Sequence, residues 1–214
     1  MTDELPEAAW PLLHDAGRSV AVGLGAAAFR LRVHGRERIP ARGPVVLVAN
    51  HSAMIDGPLL YGLLRRRSVF LVKHEMFHGL LGWFLTRIGQ LSVRRGVPDR
   101  APLLAAVAVL RGGGIVAVFP EGTRGEGDVA SAHHGAAWLA RSSGAVMLPV
   151  ACRGTRRPGG SGRRWRPRVD VLVGEPLDAP VDKGRAALTA ATDRMRSALS
   201  ALVDELDSRR GMVR

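Results

Sequence analysis

Five short runs of this chain are apolar almost without interruption: 45–49, 69–72, 115–119, 145–151 and 169–173. A strand with one wet face alternates polar and apolar residues, whereas a run apolar at both parities is buried on both faces. Segments with helical spacing lie between the runs, at 58–64, 75–88, 102–111, 134–143 and 182–207, and residues 8–32 read as a helix ahead of the first strand. Turn signals punctuate them, among them Pro40, Gly43 and Pro44, the triplet Gly112-Gly113-Gly114, and Gly144. This alternation predicts a single α/β domain with a mostly parallel mixed sheet flanked by helices, and an amphipathic N-terminal helix. The expected organisation is an N-terminal amphipathic helical segment at 1–32, a main domain at 33–208 and a tail at 209–214. Ligands of such sheets bind at the carboxyl ends of the strands. The segments following 45–49 and 115–119 should therefore line one cleft.

Composition narrows the partners. The formal net charge is +12, and all but two of the 31 basic residues are arginine, Lys73 and Lys183 being the lysines. Base composition of the genome explains a bias toward arginine, and so does an anionic partner: nucleic acid, an acidic membrane face or an acidic substrate. The single cysteine, Cys152, excludes an intramolecular disulfide framework and reads as a small buried hydrophobe. No segment reaches the roughly 18–20 apolar residues of a membrane-spanning helix. Asp3, Glu4 and Glu7 carry the wrong charge for the start of a signal peptide, so the chain is expected to stay in the cytoplasm. The apolar stretch from Trp10 onward suits a helix lying on a membrane as well as one packed on the protein's own core.

The two segments placed at strand ends are the most unusual of the chain. One reads Asn50-His51-Ser52-Ala53-Met54-Ile55-Asp56, the other Phe119-Pro120-Glu121-Gly122-Thr123-Arg124. They resemble the signature blocks Asn-His-x-x-x-x-Asp and Phe-Pro-Glu-Gly-Thr-Arg of the glycerol-phosphate and lysophosphatidic acid acyltransferase family. The family's second block is similar to Gly89-Gln90-Leu91-Ser92-Val93-Arg94-Arg95-Gly96, and its fourth to Val146-Met147-Leu148-Pro149-Val150. The resemblance runs over roughly residues 30–205.

It implies an O-acyltransferase, with the family's fold, that moves a fatty acyl group from an acyl thioester to lysophosphatidic acid, with His51 as general base oriented by Asp56. A spacing of five residues rotates two helical side chains roughly 140° apart. His51 and Asp56 must therefore meet across a strand-to-helix turn. There the carboxylate can hold one imidazole nitrogen while the other takes a proton from a hydroxyl. Arginine grips phosphate through a planar fork. The resemblance accordingly assigns Arg95 and Arg124 to the acceptor's phosphate, with Glu121, Gly122 and Thr123 shaping the acceptor site. Arg94 and Asn50 are added as further candidates. No metal or bound cofactor is implied, because acyl-CoA or acyl carrier protein is the substrate that brings the acyl group. Turnover on another lysolipid or polar lipid keeps the same chemistry. A basic lipid- or nucleic-acid-binding protein without turnover is the reading from another class.

One departure stands out. Where the family commonly has Phe-Lys-x-Gly, this chain has Ala132-His133-His134-Gly135. The usual basic contact is lost, and nothing nearby completes a metal ligand set for the two histidines. His74 and His78 likewise lack the pattern of a zinc-binding helix. Residues 153–168 carry seven arginines around Trp165, which suits an anionic membrane surface. No DNA-binding motif accompanies them, and no nucleic-acid partner is expected. The expected location is the cytoplasmic face of the cell membrane, peripheral or monotopic, with a lysophospholipid and an acyl-CoA or acyl carrier protein as partners.

Overall fold

The computed structural model describes residues 5–94, 100–120, 134–156, 165–182 and 184–211. Its elements run α1 (Pro11–Ala28), β1 (Arg30–His34), β2 (Val45–Ala49), α2 (Asp56–Leu63), β3 (Ser68–Lys73), α3 (Gly79–Arg87), β4 (Leu91–Val93), α4 (Arg100–Arg111), β5 (Ile115–Val118), α5 (Gly135–Ser143), β6 (Val146–Arg153), β7 (Arg168–Val173) and α6 (Arg185–Arg209). The seven strands form one sheet in the order β1-β7-β6-β2-β5-β3-β4, in which only β6 and β7 pair antiparallel. The mostly parallel mixed sheet expected from the sequence is present.

Alternate residues of the strands divide between two apolar layers. Val46, Val48, Val116, Val118, Met147 and Ala151 face α4, α5 and α6. Val45, Leu47, Ile115, Ala117, Leu148, Val150 and Cys152 face the side covered by α2. This double burial is why the five central strands read as continuous apolar runs.

Two strands differ from expectation. The helix expected over 8–32 stops at Ala28, and Arg30–His34 turns into an edge strand paired with β7. The short strand Leu91–Val93 forms the other edge. The helix expected over 75–88 begins only at Gly79, where a φ of +56° breaks it from the single 3-10 turn at His74–Met76.

α1 packs through its small side. Gly17, Ala21 and Gly25 face inward, and at Gly62 of α2 a methyl group would stand only 3.1 Å from the Val22 nitrogen. With small residues inside, most of the large apolar residues of α1 point outward: Leu12 is 86% exposed and Val20 and Leu24 more than half exposed, while Leu13 packs on the core.

His14 is the polar anchor of this helix. It is fully buried, its Nδ1–H donates to the Ile88 carbonyl at 2.7 Å, and its Nε2 accepts the Ser68 N–H at 3.4 Å. These partners fix the neutral tautomer. Burial holds the imidazole below its ordinary value of 6.5, and nearby Arg67 and Arg18 push the same way against Asp15. The unfolded chain therefore takes up a proton near pH 6.5 that the folded chain refuses. Stability is full above that pH and lost as the pH falls below it. Thermal melts from pH 7.5 to 5 should show the melting temperature of the wild type falling across this window. His14→Gln should melt lower at pH 7.5 but with a flatter pH dependence, and equal slopes would exclude His14 as the source.

Candidate active site

β2, β5, β3 and β4 are mutually parallel, so their carboxyl ends open on one edge of the sheet. The register pairs Val48 with Val118. His51, three residues beyond Val48, and Phe119, the residue after Val118, therefore emerge side by side. Their rings stack with centroids 4.3 Å apart and planes 26° apart. Phe119 in turn lies 6.2 Å from the ring of Phe70 on β3. Phe119 thus forms a wall for the imidazole, a role that residue type and spacing do not reveal.

His51 and Asp56 meet as the turn argument requires. Asp56 is the first residue of α2 and is fully buried, while the His51 side chain keeps 16% exposure. Asp56 Oδ2 accepts the N–H groups of Ser52 and Ala53 at 2.7 and 2.8 Å, which closes the loop ahead of α2 into a tight turn. His51 Nδ1 lies 3.3 Å from the same oxygen. That is an ion-pair distance without hydrogen-bond alignment, and buried Nδ1 has no aligned partner among the described residues. Catalytic hydrogen bonds are commonly long in substrate-free enzymes and tighten when substrate binds.

Asn50 does something other than face the cleft. It is fully buried; its Nδ2 donates to the Cys152 carbonyl at 2.9 Å, and its Oδ1 accepts the Cys152 N–H at 2.7 Å. β2 ends at Ala49, opposite Val150. The Asn50 amide therefore stands in for one more peptide group of β2 against β6. With both polar atoms engaged by Cys152, it ties the loop that carries His51 to β6.

Arg94 follows β4 and is exposed on the same edge, as is Lys73 at the end of β3. His74 Nδ1 and Ser92 Oγ, 2.9 Å apart, tie the exits of those two strands together. Arg95, Glu121, Gly122, Thr123 and Arg124 lie outside the described residues, as does His133. His134 caps α5, with Nδ1 3.1 Å from Thr192 Oγ1 of α6. Among the described residues no group of three or more His, Cys, Asp or Glu side chains is arranged to hold a metal ion.

The arginine-rich stretch is partly committed to structure. Arg153 pairs with Asp207, Arg168 with Asp170, and Arg166 donates to the Ala26 carbonyl. Arg210 joins the cluster through Asp170. Trp165 beside them is 89% exposed.

A mostly parallel α/β sheet with the histidine block and the start of the Phe-Pro block on adjoining strand ends is the arrangement that the resemblance to the acyltransferases implies. The Acyltransferase family model matches residues 30–153, more than half of the chain, and the chain belongs to that family. It is 30% identical over 151 residues to the 1-acyl-sn-glycerol-3-phosphate acyltransferase of Bacillus subtilis, covering 69% of this chain and 73% of that one. It is 35% identical over 126 residues to the lyso-ornithine lipid O-acyltransferase of Pseudomonas aeruginosa, covering 58% of this chain and 47% of that one. The crystal structure of the 1-acyl-sn-glycerophosphate acyltransferase PlsC from Thermotoga maritima superposes with a TM-score of 0.70 at 25% identity, over 91% of this chain and 79% of that one. The protein is an acyltransferase of the lysophosphatidic acid acyltransferase family.

Proposed function

We propose that the protein transfers a fatty acyl group from acyl-CoA or acyl carrier protein to the free hydroxyl of lysophosphatidic acid, giving phosphatidic acid. The observation that carries this reading is the His51–Asp56 pair, held on a strand end beside the first residue of the Phe-Pro-Glu-Gly-Thr-Arg block. With Nδ1 facing Asp56, Nε2 is the nitrogen that accepts the proton of the acceptor hydroxyl. The oxygen attacks the thioester carbonyl and the tetrahedral intermediate collapses. The departing thiolate recovers the proton from the imidazolium. No acyl-enzyme forms, and no metal or bound cofactor is called on. Arg94 joins Arg95 and Arg124 as candidates to hold the acceptor phosphate. The test is release of free thiol from an acyl-CoA by purified protein in detergent. Release that requires lysophosphatidate supports the reading, and release indifferent to every lysolipid acceptor rejects it.

A second acceptor class has its own support. The similarity, at 35% identity, to a protein named lyso-ornithine lipid O-acyltransferase supports the reading that the same chemistry serves a different lysolipid acceptor. Preference for such an acceptor over lysophosphatidate in the same assay would select it.

We further propose that the enzyme works docked on an anionic membrane face. The described helices include none long and apolar enough to cross a membrane. Instead Leu12 and Trp10 at the start of α1 stand with Leu80, Leu81 and Trp83 of α3 as an exposed apolar surface, Trp10 and Trp83 meeting edge to face at 5.8 Å. Arg87 lies over the Trp10 ring. Exposed apolar side chains with a cation beside them suit the interface of an anionic bilayer, which is the character of the cytoplasmic leaflet. Flotation with vesicles containing anionic lipid should recover the protein, less so at high salt. Leu12→Asp with Leu80→Asp should lower the partition coefficient more than tenfold, since each buried leucine side chain contributes about 1.5–3 kcal/mol. Unchanged flotation of the double variant would remove this surface from the reading.

A further inference from the structure

The carboxylate of Asp56 is served unevenly. Oδ2 accepts two backbone N–H groups and faces His51. Oδ1 is as deeply buried, and its donor among the described residues is the thiol of Cys152, with Sγ 3.9 Å away. Cys152 is held in place from two directions. β6 carries it between β2 and β7, and the Asn50 side chain grips both its N–H and its C=O. A valine or isoleucine would fill the same apolar layer, but neither donates a hydrogen bond. Burial, with the Asp56 carboxylate next in weight, pushes the thiol well above its ordinary range, so the S–H stays on sulfur at neutral pH.

We propose that Cys152 is a positioning residue: its S–H donates to Asp56 Oδ1 and fixes the carboxylate so that Oδ2 addresses His51. The proposal rests on the reading of His51 and Asp56 as the proton-accepting pair. A buried carboxylate oxygen without a donor is costly, and the carboxyl can relieve that cost by turning away from His51 or by holding a proton. The charged and titratable groups around the thiol are Asp56 and His51 on the loop and helix after β2, Arg153 next in β6, and Arg210 beyond it.

The test compares Cys152→Val and Cys152→Ser in the thiol-release assay, with kcat and KM for the acceptor read separately. A thiol is a weak donor, at the low end of hydrogen bonds to charged groups, so Cys152→Val should lower kcat roughly tenfold with KM for the acceptor unchanged. Cys152→Ser restores a donor and should return kcat toward wild type. In an Asp56→Asn background, Cys152→Val should cost nothing further. Wild-type kcat in Cys152→Val, a loss that falls on KM instead, or a serine variant as impaired as the valine would overturn the proposal. Wild-type activity in Asp56→Asn alone would instead overturn the proton-accepting pair on which it rests.

Discussion

His51→Ala is expected to lower acceptor-dependent acyl transfer by roughly 10²- to 10⁴-fold, the usual contribution of a positioned general base. The loss should fall on kcat. The imidazole takes its proton as the bond forms and adds little to ground-state binding, so KM for lysophosphatidate should move by less than about threefold. Folding should survive, because His51 keeps solvent exposure and its Nδ1 has no aligned hydrogen bond to lose. Asp56→Asn should be damaged for another reason. The amide oxygen stays on the Ser52 and Ala53 N–H groups and faces Nδ1, but it carries no charge to stabilise the imidazolium that forms when Nε2 takes the proton. Steady-state kinetics with circular dichroism on both variants decides the matter. Activity in folded His51→Ala within threefold of wild type would remove His51 from the chemistry.

Asn50→Leu is expected to cost the fold more than any exposed substitution at the site. It keeps the side chain's bulk but strands the N–H and C=O of Cys152, both buried and both served by the Asn50 amide. Each unsatisfied buried group costs about 1–3 kcal/mol. A combined loss of about 2–5 kcal/mol lowers the melting temperature of a chain this size by roughly 5–15 °C. Activity should fall even at temperatures where the variant stays folded, because the loop holding His51 leaves β2 without its last tie to β6. A substrate-binding role predicts the reverse pattern, a raised KM with an unchanged melting temperature. Thermal melts and initial rates on one preparation separate the two. A melting temperature within about 2 °C of wild type would show that β6 does not depend on this amide.

The five apolar runs of the sequence are the five strands with neighbours on both sides, β2, β3, β5, β6 and β7. Burial on both faces leaves a mark in the local residue pattern, so these strands were legible. The edge strands were not. Arg30–His34 mixes arginines with leucine and valine because solvent meets it, and Leu91–Val93 is too short to carry a pattern. The alternation of strands and helices announced the parallel pairs, but nothing in the local pattern marked the antiparallel pairing of β7 with β6.

The candidate site divides in the same way. The spacing of His51 and Asp56 required their meeting across a turn, and the alternation of strands and helices placed that turn and Phe119 at one sheet edge. The sequence by itself determined that much, because each step depends on neighbours in the chain. The partners that hold the pair come from far away: Cys152 is 102 residues from Asn50 and 96 from Asp56. Only tertiary structure decided that a lone cysteine touches a buried carboxylate and that an asparagine completes a strand. Both contacts are set by the register of β2 against β6, and that register is the joint result of packing the whole sheet between its two helical layers.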